Sequence, residues 1–236
     1  EVAVEQRHGG GCVRIASSGG VGSSGGICAV VGSAAFDEAF FSRHRFDYVV
    51  AADAGFASLM RAGIRPDAVV GDFDSLGFVP DVPDAVVHPA RKDESDLFLA
   101  CEQALAHGCG TIALLGALGG RLDQTYATLQ TLVRLSHRGI RSFAAGDGEC
   151  VAVLTGGAFD ELFLPASLNG GFSVFSASDR SFGVDEEGAS YALSSATLSN
   201  DVPLGLSNEC AGAPIRISVS EGDLLVFLPS STTFDV

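Results

Sequence analysis

From residue 27 to residue 144 the chain alternates short apolar runs with stretches of helical period, and this alternation limits its fold more than any other feature. Apolar runs at 27–31, 48–52, 68–70, 85–87, 111–115 and 140–144 read as strands. The intervening stretches at 34–43, 55–62, 97–107 and 123–137 read as helices. Strands separated by helices cannot pair as hairpins. They form a mostly parallel sheet with helices on both faces. After about residue 150 the helical period disappears. Short runs at 151–154, 161–164, 172–176, 192–198, 215–219 and 224–228 are punctuated by Gly, Asn, Asp and Pro. They imply a smaller all-β sandwich or barrel. The expected class is α/β, with an α/β domain over 27–150 and a β-sandwich domain over 151–236. Residues 1–26 are rich in Gly and Ser and read as a disordered leader that buries too little surface to order itself. A phosphate-binding loop is the sharper reading of those glycines, but no strand precedes them and no G-K-[ST] follows.

Three acidic clusters fall where strands end or helices begin. They are Gly71-Asp72-Phe73-Asp74-Ser75, Lys92-Asp93-Glu94-Ser95-Asp96 and Gly119-Gly120-Arg121-Leu122-Asp123. In an α/β fold such points gather along one sheet edge, where ligands bind. Carboxylates brought together there repel one another unless a cation holds them, and hard oxygen ligands suit Mg²⁺ arriving with substrate phosphates. Asp72 and Asp74 would share one side of an extended segment; a polar turn closing the strand is the equal alternative. Asp93 could cap the following helix, with Asp96 in its first turn. Gly119 and Gly120 offer backbone N–H groups beside the Arg121 guanidinium, a plausible anion cradle; a Gly-rich turn capped by Asp123 is the alternative.

Charge narrows the classes of partner. Asp and Glu number 29 against 14 Lys and Arg, a formal net charge of −15. That excludes wrapping nucleic acid and adhering to an anionic membrane surface. A polyanion such as ATP would need local cations. The single lysine, Lys92, lies inside an acidic cluster, as expected of a point-charge phosphate contact or of a solvated partner for Asp93. The cysteines at 12, 28, 101, 109, 150 and 210 form no C-x-x-C motif, and no long apolar span or signal-peptide core is visible. A reducing, cytoplasmic setting is the expectation. The five histidines suggest no Ser-His-Asp order. Metal and positioning, the requirements of phosphoryl transfer, suit these residues better than a general base.

The ordered motifs resemble those of the thiamine pyrophosphokinase family, in its bacterial form. They are Ala52-Asp53-Ala54-Gly55, Pro66-Asp67 with Gly71 to Ser75, Lys92 to Asp96, and Leu115-Gly116-Ala117 leading to Asp123. In the β region they are Pro203-Leu204-Gly205-Leu206-Ser207-Asn208-Glu209 and Gly222-Asp223-Leu224-Leu225. The resemblance implies pyrophosphoryl transfer from Mg-ATP to the thiamine hydroxyl by a homodimer, with the thiamine site at the subunit junction. It implies that Asp72, Asp74 and Asp96 hold Mg²⁺, with Asp53 and Asp93 nearby. Lys92 and Arg121 would supply positive charge, and Gly119, Gly120, Arg121, Asp123 and Gln124 would contact the nucleotide. Ser207 and Asn208 would contribute to the thiamine site. Phe182 and Tyr191 are the candidates to stack on the pyrimidine, since Trp is absent. The chain departs from the pattern at Ala54, at Ser95 in place of Thr, and at Gln124 in place of a common His. The alternatives are a non-catalytic thiamine or nucleotide sensor on the same scaffold, or another Mg-dependent phosphoryl-transfer enzyme.

Overall fold

The computed structural model describes residues 12–19, 25–89, 93–168 and 170–235. Its elements in chain order begin with β1 (Arg14–Ala16), β2 (Gly26–Val31), α1 (Glu38–Arg43), β3 (Tyr48–Ala52), α2 (Gly55–Arg61), β4 (Ala68–Gly71) and β5 (Asp84–Val87). There follow α3 (Asp96–Ala106), β6 (Cys109–Leu115), α4 (Leu122–His137), β7 (Arg141–Gly146) and β8 (Glu149–Thr155). The remainder is all strand: β9 (Glu161–Leu164), β10 (Phe172–Ser176), β11 (Arg180–Glu187), β12 (Ala196–Ser199), β13 (Gly205–Asn208), β14 (Ile215–Ser218) and β15 (Asp223–Pro229).

Two sheets organise these strands. The larger has the order β13-β10-β15-β8-β7-β6-β2-β3-β4-β5, the smaller β1-β9-β14-β11-β12. From β7 to β5 every pairing is parallel. These central strands are buried on both faces, so Val-rich runs such as β3 and β4 show no polar alternation. At β7–β8 the pairing turns antiparallel, and the same sheet continues into β15, β10 and β13. One layer of the sandwich is therefore an extension of the α/β sheet, crossing residue 150 without a break.

Side-chain alternation divides the core in two. Ala29, Val31, Val49 and Ala51 belong to one core with Phe40 of α1 and Leu59 of α2, and that core runs on to the buried side chains of the smaller sheet. Cys28, Val30, Val50 and Ala52 face Ala100, Cys101 and Ala104 of α3 and Leu132 and Leu135 of α4. Helices thus cover both faces, as the alternation demands. Burial pushes the Cys101 thiol far above its ordinary range, so it behaves as a small apolar core residue.

The structure departs from expectation where the hydrophobic pattern is thin. The leader is not structureless over its described part. Arg14–Ala16 pairs with β9, Ile15 is buried, and Val13 exchanges backbone bonds with Thr233 and Asp235. Ser18 donates its N–H to Asp160 Oδ1 at 2.7 Å and its hydroxyl to Oδ2 at 2.5 Å. Isolated, Val13-Arg14-Ile15 is too short to signal a strand; a waiting sheet edge orders it. The strands β11 and β13 also escape the sequence pattern, because β11 carries Asp185, Glu186 and Glu187 and β13 only Leu206 as a large apolar side chain. Ile15→Ala should lower unfolding stability by about 2–4 kcal/mol, measured by urea denaturation; a loss near zero would restore the disordered leader.

Candidate functional site

The chain leaves β2 toward β3 on one side and returns at β6 on the other, so the sheet has its switch point between β2 and β6. Loops diverging there open a crevice at the carboxyl ends of the strands. A cleft of ≈ 240 Å³ lies there, lined by Gly32, Ser33, Asp53, Ser95, Asp96, Gly116, Gln124 and Thr128 among others. Gly116 has φ +56, and a Cβ on it would sit 2.9 Å from Gly32 O. The two loops approach this closely because that position is glycine.

Asp53 sits on the wall of the cleft with φ 45, a left-handed conformation that Asp tolerates better than most residues. Ser75 donates its hydroxyl to Asp53 Oδ2 at 2.9 Å. The buried Oδ1 has no hydrogen-bond partner among the described residues. A buried carboxylate oxygen without a donor is costly, and a cation is one natural remedy.

Asp72 and Asp74 lie on the loop after β4, tied to Asp53 through Ser75. They are not placed as an extended i, i+2 pair. Phe73 between them has φ 57 and is buried in the core, an unusual conformation for a bulky residue. The chain turns there, and Asp72 Oδ1 accepts the Asp74 N–H at 3.1 Å. Asp74 remains exposed. Asp96 opens α3 and lines the cleft. The N-cap of α3 is Ser95, not Asp93: the Ser95 hydroxyl accepts the Phe98 N–H at 3.2 Å. Lys92 lies outside the described residues.

The third cluster is closed on itself. Arg121 donates to Asp123 through Nε at 3.1 Å and Nη2 at 2.5 Å, and both side chains are exposed. The paired hydrogen bonds hold Asp123 below the usual carboxylate range and Arg121 above its ordinary value. Gly119 and Gly120 have φ +80 and +67, and the Gly119 N–H donates to Thr125 Oγ1 at 3.1 Å. Asp123 does not cap α4; the N-cap position is Arg121, without a side-chain bond. Of the expected residues, Asp53, Asp96 and Gln124 line the cleft, whereas Asp72, Asp74, Asp93, Gly119, Gly120, Arg121 and Asp123 do not. Among the described residues no three His, Cys, Asp or Glu side chains converge as a metal site.

A second cleft, ≈ 520 Å³, opens in the β region between Tyr191, Leu193, Leu204, Leu206, Ser207, Asn208 and Glu186. Phe182 is not part of its lining. Gly205 admits β13 against β10; a Cβ there would lie 2.0 Å from Val174 O. Ser207 is exposed with φ 60, its N–H donating to Ser173 Oγ at 3.0 Å. Asn208 is buried. Its Oδ1 accepts the N–H groups of Tyr191 (3.0 Å) and Glu209 (2.9 Å), and its Nδ2 donates to Tyr191 O (2.9 Å) and Glu186 Oε2 (2.6 Å). Glu186 escaped the sequence reading. The signal was there: Val184 and Glu186 are alternate residues of one strand, hence on one face, and that face is buried. Desolvation raises the Glu186 pKa, partly offset by the Asn208 bond.

The family described as "Thiamin pyrophosphokinase, catalytic domain" matches residues 43–144. A thiamine pyrophosphokinase of Bacillus subtilis (strain 168) is 34% identical over 91 residues, 36% of this chain and 42% of that protein's length. The chain is also similar to solved structures. For a thiamine pyrophosphokinase from Bacillus subtilis the TM-score is 0.75 at 21% identity, covering 89% of this chain and 100% of that one. For one from Geobacillus thermodenitrificans the values are 0.72, 26%, 86% and 97%. For one from Candida albicans they are 0.71, 16%, 86% and 88%. These likenesses bear out the resemblance read from the motifs. Among the described residues no helix is long and apolar enough to cross a membrane.

Two outcomes follow from the unpaired carboxylate oxygens. Asp53→Asn should fold with no loss in urea midpoint, and millimolar Mg²⁺ should raise the melting temperature of the parent chain but not of the variant. An equal rise in both would remove Asp53 from any cation site. A raised Glu186 pKa means that protonation favours the folded state: its stabilising effect is full below the unfolded value, about 4.3, and is lost as pH rises through the folded pKa. Glu186→Gln should therefore be the more stable protein at neutral pH. Its advantage should narrow as the pH falls toward 4, followed by thermal melts across pH.

Proposed function

We propose that this chain transfers a pyrophosphoryl group from ATP to the hydroxyl of thiamine, giving thiamine diphosphate and AMP. The observation that carries the reading is the cleft at the β2/β6 switch point. It is lined by Asp53, Asp96 and Gln124, with the Asp72–Asp74 loop tied to Asp53 through Ser75. The matched span of 43–144 contains all of these residues.

In this reading the thiamine hydroxyl oxygen attacks the β-phosphorus of ATP and loses its proton to solvent, the bond from the β-phosphorus to the bridging α-phosphate oxygen breaks, and AMP leaves with the electron pair. The donors Asp72, Asp74 and Asp96 are hard carboxylate oxygens, and the unpaired Asp53 Oδ1 fits a site that takes a cation. Mg²⁺ bound there would screen the phosphates and stabilise charge developing on them. In this reading Asp53, on the cleft wall, and Asp93 assist that site without being its principal ligands. Gln124 lines the cleft, which supports its proposed contact with the nucleotide. Arg121 must exchange part of its pairing with Asp123 for phosphate, which its exposure permits. Gly119 and Gly120 shape that turn, and Lys92 supplies a further point charge to phosphate.

The α/β region, 27–150, binds ATP and the β region, 151–236, binds thiamine. Ser207 and Asn208 belong to the thiamine side. The working unit is a homodimer with the thiamine site at the subunit junction. Cys28, Cys101, Cys109, Cys150 and Cys210 are free thiols, which supports a reducing, cytoplasmic setting.

The test is incubation of the purified chain with ATP, Mg²⁺ and thiamine, with products resolved by mass. Thiamine diphosphate with AMP is expected. Thiamine monophosphate with ADP would overturn the reading, and thiamine bound without turnover would make the chain a sensor. Asp74→Asn should cut turnover on the order of 10²-fold or more while leaving the melting temperature unchanged, because Asp74 is exposed. A near-parental rate would remove Asp74 from the metal site.

A further inference from the structure

The β-region cleft has a charged floor and apolar walls. Glu186 lines it and is 0% exposed, yet only one of its two carboxylate oxygens is paired among the described residues. Oε2 accepts the Asn208 amide at 2.6 Å; Oε1, buried, has no donor. Asn208 cannot serve a ligand in its place. Both of its N–H groups and both lone pairs of its Oδ1 are engaged by Tyr191, Glu209 and Glu186. Asn208 instead fixes the carboxylate and holds the segment carrying Tyr191. Around this point stand Tyr191, Leu204 and Leu206, all well exposed, so a flat ring would find apolar contact beside a single buried acceptor.

We infer that Glu186 Oε1 accepts a hydrogen bond from the amino group of an aromatic, amino-substituted heterocycle seated in this cleft, and so sets the specificity of the site. The inference rests on the proposed function, in which that heterocycle is the aminopyrimidine ring of thiamine. The acceptor is fixed in place before the ligand arrives and is shielded from water, which is where one hydrogen bond discriminates most. An amino group supplies the missing donor. A carbonyl at the same ring position sets acceptor against acceptor. The carboxylate also favours a ligand bearing the positive charge of a thiazolium.

The experiment compares thiamine with its 4-oxo analogue, in the parent chain and in E186Q, by calorimetric binding and by KM. Gln keeps the shape and can still accept the Asn208 bond, while offering an N–H of its own to a carbonyl. The parent should prefer the amino compound by about 100-fold or more. E186Q should lose most of that preference, chiefly through weaker thiamine binding, with KM for ATP unchanged. A merely structural Glu186 would shift both compounds alike, so an unchanged ratio in E186Q overturns the inference. Should E186Q fail to fold, the parent ratio decides: less than about 10-fold discrimination overturns it. A parent chain that makes thiamine diphosphate without discriminating refutes the role of Glu186 alone. One that neither binds nor converts thiamine refutes the proposed function and this inference with it.

Discussion

The parallel pairing of β2 with β6 is the constraint on which the rest of the molecule depends. Ile27 to Val31 run in register with Thr111 to Leu115, so two segments more than eighty residues apart end at the same height. At that height the chain diverges, Gly32 toward α1 and Gly116 toward α4, and the gap between the loops becomes the cleft. Everything offered to a ligand there is fixed by where these strands stop. Asp53 ends β3, the Asp72–Asp74 loop ends β4, and Asp96 begins the helix that packs across β3, β4, β2 and β6.

The second constraint is the hairpin of β7 and β8. Its antiparallel ladder, extended by the seven residue pairs of β8 with β15, carries the α/β sheet directly into the sandwich. The β region therefore has no sheet pair wholly its own, and its orientation relative to the α/β cleft is set by continuous backbone hydrogen bonding. A side-chain network reinforces the join: Asp223 on β15 accepts from Thr155 at 2.8 Å and meets His137 at the end of α4, also at 2.8 Å.

Where the sequence carried strong periodicity, it was legible. The six parallel strands and four helices follow directly from apolar runs and their spacing, because a strand buried on both faces must be apolar throughout. The acidic clusters were legible as positions, at strand ends and a helix start, but not as geometry. Whether Asp72 and Asp74 point together depends on the backbone at Phe73, and Phe73 adopts a left-handed turn because the core captures its ring. Ser95 took the cap expected of Asp93 because its hydroxyl meets the Phe98 N–H. Glu186 was missed because a charge in a strand reads as solvent-facing until the opposing sheet is known.

By itself, then, the sequence determined the α/β class, the order of the central parallel strands and their helices, and that acidic residues stand at strand ends and a helix start. Those properties are local: periodicity, turn chemistry and charge act within a few residues. Tertiary structure alone decided that Arg14–Ala16 becomes a strand and that one sheet runs through both halves. It also decided that Asn208 is consumed internally, and that Glu186 Oε1 is buried without a donor among the described residues. Each of these rests on hydrogen bonds between residues distant in the chain, whose partners no local pattern names.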